Sequence, residues 1–344
     1  MITIEDNSLV IGAPEVHEDA KSRIEFQRTL RIPDDNREYP LPPGLGAFPL
    51  SHVDDHRDKI PGSWVNHGGV FLPMHQAEAL WISFDQWGSG WPFAIKIGTG
   101  KLSAITGEPW RNELVGEDRS ADQDYVVTPG QPWLDGYCVQ KGLIRQFVAM
   151  PLGEGYTAEE QLTGKAEHGG IQIIAYPMKR ERCLEWRKRY AASVNEVCFG
   201  MDDGAYGAAE SVESAELGLA PGGLMRQQIY HDEFGIDAWE TDHPSRCFVH
   251  ILNSAQYATV TGKSPPTQPP TAKSYTSAGL PWFDYYSETL AAIPGSKKLA
   301  EMDSVASKGI KQGELPLPEN EPVEPKNIVA INKNGAKPVR EGEF

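Results

Sequence analysis

The sequence predicts a mainly β protein: antiparallel, sandwich-like sheets with a few peripheral helices, and α+β as the fallback class. Three observations predict it. The chain carries 34 glycines and 27 prolines in 344 residues, about half again the usual share, which favours turn-rich architecture over a helical bundle. Apolar runs of strand length recur between Gly and Pro punctuation. Stretches with a helical period are few, and none approaches the ~18 apolar residues a spanning helix needs.

Taken in order, residues 1–40 are polar and acidic with one short apolar run at 8–13, and read as an N-terminal arm with one strand. Residues 41–263 read as a β-rich body of one or two β units, with strands expected at 70–72, 80–84, 93–97, 101–106, 125–127, 143–150 and 170–176. The clearest hairpin is 93–107. Phe93, Ile95 and Ile97 alternate on one face, and Gly98 and Gly100 offer the positive φ a tight connection needs. Thr157-Ala158-Glu159-Glu160 is a capping-box pattern that opens a short helix. Residues 178–190 place Cys183, Trp186 and Tyr190 at helical spacing, and 205–219 reads as an exposed acidic helix. The segment Ala220-Pro221-Gly222-Gly223 reads as a turn, followed by strands at 224–230, 246–252 and 257–260.

Residues 264–312 form a Pro-rich, polyproline-like linker and an aromatic and helical docking segment, with helical pieces at 288–290 and 297–305. Residues 313–344 are rich in Pro, Glu, Lys and Asn and read as a polar tail without a core of its own.

Charge and cysteine usage bound the function. Asp and Glu outnumber Lys and Arg by 48 to 32, for a net charge of −16. That balance argues against a general nucleic-acid partner and against docking on anionic lipid, since both need a basic surface. The N-terminal residues show no secretory pattern. Cys138, Cys183, Cys198 and Cys247 lack CxxC spacing. Reduced thiols in the cytoplasm, with no membrane insertion, are the expectation.

Three block sequences, PGSWVNHGGVFLPMHQAEALWI at 61–82, AIKIGTGK at 94–101 and PGQPWLDG at 129–136, resemble an uncharacterised microbial protein family that shares this order of blocks. The resemblance implies no activity and carries over no catalytic residue. It implies that 41–305 belongs to one folded unit.

The densest group of metal-ligand types is His52, Asp54, Asp55, His56 and Asp58. His52 and His56 have the i, i+4 spacing of a helical HExxH site, but Val53 stands where that motif keeps its general base. Arg57 inside the group favours ordinary ion pairing, so a charged loop is preferred over a metal. His67, His75 and Glu78 form a looser group, and His231, Asp232, Glu233, Asp237, Asp242 and His243 another. The triplets His67-Gly68-Gly69 and His168-Gly169-Gly170 each lead into an apolar strand that ends in Pro-Met. They are similar to the oxyanion loop of esterases, but no G-x-S-x-G elbow accompanies them. No phosphate-binding glycine loop appears, so no cofactor is expected.

Six of the nine tryptophans fall between 64 and 133. Trp87 and Trp91 bracket a Gly-rich loop and could stack on a sugar or a partner. Trp282, Phe283, Tyr285 and Tyr286 follow the Pro-rich linker as an aromatic docking element, on their own body or on a neighbour. The expected function is a non-catalytic cytoplasmic β-rich binding or self-assembly protein, with itself as partner in a homo-oligomer. The alternatives are a metal- or carboxylate-dependent hydrolase of a glycan or ester, with Asp85 and the 52–58 group nearby, and a sugar-binding module.

Overall fold

The structure, a computed structural model, describes residues 1–84, 90–116, 122–191, 215–285, 287, 290–315 and 318–331. Strand exceeds helix, 36% to 19%, which places the chain in the mainly β class. No helix among the described residues is long and apolar enough to cross a membrane.

The N-terminal segment differs from the expected arm. It holds β1 (Ile2–Glu5), β2 (Ser8–Gly12) and β3 (Lys21–Thr29), joined as an antiparallel meander. In β3 the alternation of Ser22, Ile24, Phe26 and Arg28 with Arg23, Glu25 and Gln27 puts one set inside and one set at the surface. Leu9, Ile11, Ile24 and Phe26 are fully buried. Short apolar spacing in a polar stretch hid this meander: alternation, not overall hydrophobicity, is what one buried face requires.

Short strands β4 (Glu38–Tyr39), β5 (Gly44–Ala47) and β6 (Ser51–His52) lead to helix α1 (Gly62–His67). Then come β7 (Val70–Met74), β8 (Ala79–Phe84), β9 (Phe93–Thr99) and β10 (Leu102–Ser103). The β9–β10 hairpin is present, pairing Thr99 with Leu102 and Gly98 with Ser103. Its turn takes positive φ at Gly100 and Lys101, as a two-residue turn of the tight hairpin type does. Gly98 serves another purpose: a Cβ there would lie 2.6 Å from the Trp110 ring.

The sheet continues through β11 (Val126–Thr128), β12 (Trp133–Leu134), β13 (Gly136–Gln140) and β14 (Leu143–Pro151). Helix α2 (Ala158–Thr163) follows, opened by the expected capping box of Thr157 and Glu160. After β15 (Ile171–Pro177) and α3 (Arg180–Ala191) comes β16 (Glu216–Arg226), where a helix and a turn were expected. The Pro-Gly-Gly of the expected turn lies inside β16 at a register shift opposite Arg145 and Phe147. A bulge of this kind tolerates proline, and the glycines allow close approach: a Cβ on Gly222 would lie 2.6 Å from Val148.

Strand β17 (Ser245–Asn253) runs directly into α4 (Ser254–Thr261), where a strand at 257–260 was expected. Asn253 caps α4 through its side chain and Gly262 closes it in the left-handed conformation, the ordinary start and stop signals of a helix. The remaining elements are α5 (Ala272–Ser277), β18 (Trp282–Asp284), α6 (Lys297–Ala300), α7 (Val305–Gln312) and β19 (Ile328–Ala330).

Among the described residues one hydrogen-bonded network links the first seventeen strands. Its ladder runs β1–β2–β3–β8–β14–β16, passes to β17 through the pairs Glu216–Leu252 and Leu217–Ile251, and continues β17–β15–β9. Side chains of both halves share one apolar core. Tyr137 of β13 ties them together, with its hydroxyl 2.9 Å from Thr99 Oγ1 of β9 and 2.9 Å from the Leu219 carbonyl of β16. The Pro-rich segment lies on this body: Arg28 donates to the Thr267 carbonyl, and His75 Nε2 is 2.9 Å from the Pro266 carbonyl.

Candidate functional site

The candidate site is built on β17. Val249 sits opposite Val70 of β7 on one flank and opposite Ile171 of β15 on the other. β7 is parallel to β17 and β15 antiparallel, so the two strands leave the same residue in opposite directions. Each is preceded by its His-Gly-Gly triplet. The sequence echo therefore marks two turns that meet in space.

Glycine is required at both. Gly69 has φ +87, and a Cβ there would fall 2.1 Å from the Phe248 carbonyl oxygen; Gly170 has φ +54 and would meet the Val249 carbonyl at 2.6 Å. The close approach brings the His67 and His168 ring centroids to 6.2 Å.

From there the rings form a cluster graded in exposure. Phe248 stacks on His67 at 4.8 Å and on His250 at 4.2 Å, and His250 stacks on Trp64 at 4.5 Å. Trp64 and His250 are buried, Phe248 and His168 half-buried, and His67 exposed. His67 and His250 lie 6.0 Å apart with planes 20° from parallel, a stacking geometry rather than a convergence of ring nitrogens.

Hydrogen bonding fixes the tautomer of His250. Its Nε2 lies 3.1 Å from the Gly68 carbonyl, so Nε2 carries the hydrogen and donates, and Nδ1 keeps a lone pair that is buried without a partner. Burial pushes His250 down to about 3, against the Gly68 carbonyl and helped by His67. His67 is lowered as well, by partial burial first and then by Lys101 and His168. His250 is thus neutral at pH 7. The second turn is clamped from α2: the Glu159 carboxylate accepts the backbone N–H groups of Glu167, His168 and Gly169 at 2.9, 2.9 and 2.8 Å. His168 Nδ1 is also buried without a partner.

The other sequence-derived candidates fall elsewhere. His52 ends β6 and the next residues form a short 3₁₀ turn, Val53–His56. Asp54 pairs with Arg57 at 2.5 Å, and His56 meets the Phe71 ring edge-on at 5.4 Å. Asp55 and Asp58 are exposed. Among the described residues no group of three or more His, Cys, Asp or Glu side chains is placed to hold a metal ion. Glu78 is a structural anchor, 3.0 Å from Arg28 Nε and 2.9 Å from the His75 N–H. Asp232 is another, bound to Tyr125, Trp239 and the Phe234 N–H.

Trp91 is 2% exposed, stacks on His17 at 4.9 Å and donates to the Met178 carbonyl, so it offers no platform to a sugar. Trp87 and Asp85 lie outside the described residues, as do Tyr286 and Cys198. Trp282 is fully buried within its own chain among Tyr39, Tyr275 and Tyr285. Phe283 is half-buried and Tyr285 is 8% exposed. Of the two docking modes open to this aromatic element, the geometry supplies docking on the same body. Phe248, His250 and Lys101 were not singled out by the sequence, and only the doubled His-Gly-Gly pointed at their location.

No family model, no curated protein and no solved structure matches the chain.

Proposed function

We propose that this chain is a non-catalytic β-rich binding protein whose ligand face is the His67, His168 and Phe248 surface, and that it self-associates. One observation carries the binding reading: two separate His-Gly-Gly turns, each locked by a glycine nothing else can replace, are brought to one residue of β17. Imidazole rings beside a half-buried aromatic ring favour a planar ligand that stacks and accepts or donates hydrogen bonds. The cytoplasm is kept as the compartment because Cys138, Cys183 and Cys247 are free thiols. Burial raises Cys138 to about 12, which suits a structural role.

The test is ligand-observed NMR with a library of planar aromatic and heteroaromatic fragments, comparing the wild type with His67→Ala. Loss of the hits in the variant, at unchanged melting temperature, is the expected result. Hits that persist undiminished would remove the face from consideration.

A further inference from the structure

The C-terminal strand β19 pairs with β18 in parallel and nothing among the described residues pairs with its other edge. The Trp282 N–H donates to the Asn327 carbonyl and the Ile331 N–H donates to the Asp284 carbonyl, both at 2.8 Å. Alternate residues of a strand face one neighbour, so Ile328 and Ala330 direct their own N–H and C=O groups outward. The side chains are open too. Ile328 is 44% exposed and Val329 43%, and Leu280, 45% exposed, is brought alongside by the bond from Asn327 Nδ2 to the Gly279 carbonyl. An unpaired, apolar strand edge is a template for another strand.

We propose that β19 is the docking edge for a second copy of this chain, paired antiparallel about a two-fold axis at Val329. Two features select a second copy. Residues 327–331 carry no charge in a chain of net charge −16, so two copies pairing here bring no like charges face to face along the strand. The pairing is also self-complementary: with Val329 opposite Val329, Ile328 faces Ala330 of the other copy in both directions, giving about four main-chain hydrogen bonds. The patch is far smaller than the ~1,200 Å² of a stable interface, so association is weak and concentration-dependent. The proposal develops the self-association part of the reading above and is independent of the imidazole face.

Analytical ultracentrifugation of the full chain, from micromolar to near-millimolar, is the first measurement. The wild type is expected to shift from monomer toward dimer mass. Ile328→Lys, which puts charge on the edge, and Ala330→Pro, which removes an outward N–H while leaving the β18 ladder, are expected to stay monomeric. His67→Ala is expected to associate like the wild type, so failure of the binding reading leaves this one standing. The register is tested by mild oxidation. Val329→Cys, at the axis, should form a disulfide dimer faster than Ile328→Cys or the wild type. A wild type that remains monomeric, association that survives both edge variants, or equal cross-linking at 328 and 329 overturns the proposal. So does a monomer that dimerises only after truncation at Ile331, since the chain's own tail would then be the occupant.

Discussion

At the scale of single residues, the two kinds of positive-φ glycine separate backbone cost from steric cost. Gly164 closes α2 at φ +74 with open space where a Cβ would go, whereas Gly170 combines φ +54 with backbone 2.6 Å away. Gly164→Ala is expected to cost about 1 kcal/mol and Gly170→Ala about 3 kcal/mol or more, measured by urea unfolding. Two buried titratable groups give a second expectation. His250 is held near 3 in the folded chain, so the unfolded chain binds its proton first and stability falls as pH drops from about 6.5 toward 3. Asp135 is buried with Gln227 as its side-chain partner and is raised to about 7 by that burial, so the folded chain binds that proton first and stability falls as pH rises from about 4 to 7. Each slope is at most about 1.4 kcal/mol per pH unit, and they oppose one another where they overlap. His250→Phe should therefore leave a protein that loses stability between pH 4 and 7, and Asp135→Asn one that gains it. Denaturant melts across that range check both signs.

At the scale of elements, α5 and β18 contribute Tyr275 and Trp282 to an aromatic cluster with Tyr39 and Tyr285, and the sequence left the partner of this aromatic run open. Trp282 packs against Tyr39 and Tyr275 with ring centroids 6.4 and 6.3 Å away. Val323 from the expected tail is buried in the same cluster, so the tail borrows a core from the body. Trp282→Ala is expected to lower stability by about 3–5 kcal/mol, as a large buried side chain does, while leaving the sedimentation behaviour of the folded fraction unchanged. A shift in that behaviour would return the ring to an intermolecular role. The elements the sequence made legible were those with local signals: the β9–β10 hairpin, the capping box of α2 and the strands β7, β14 and β15. One that it misread, β16, depended on distant partners. β16 keeps proline and two glycines in a strand because β14 and the Pro33 carbonyl press on it. α4 was missed because two apolar residues, Tyr257 and Val260, outweighed the caps at Asn253 and Gly262.

At the scale of the whole molecule, the first 29 residues belong to the core: Leu9, Ile11, Ile24 and Phe26 are all fully buried, and β3 runs along six residues of β8. Deleting residues 1–29 should abolish the cooperative thermal transition, whereas removal of a solvated arm would leave it in place; differential scanning calorimetry distinguishes the two. The candidate site was legible at the same scale only as a repeated triplet, because the strand that unites its halves lies about 80 residues beyond the second copy. That union has a mechanical side. β7 and β15 run in opposite senses from a common origin at Val249, like two scales of a vernier sharing one zero. Sliding either strand along β17 changes the His67–His168 separation directly, so a spin-label pair at those two positions would register shear in the middle of the sheet before the strands part.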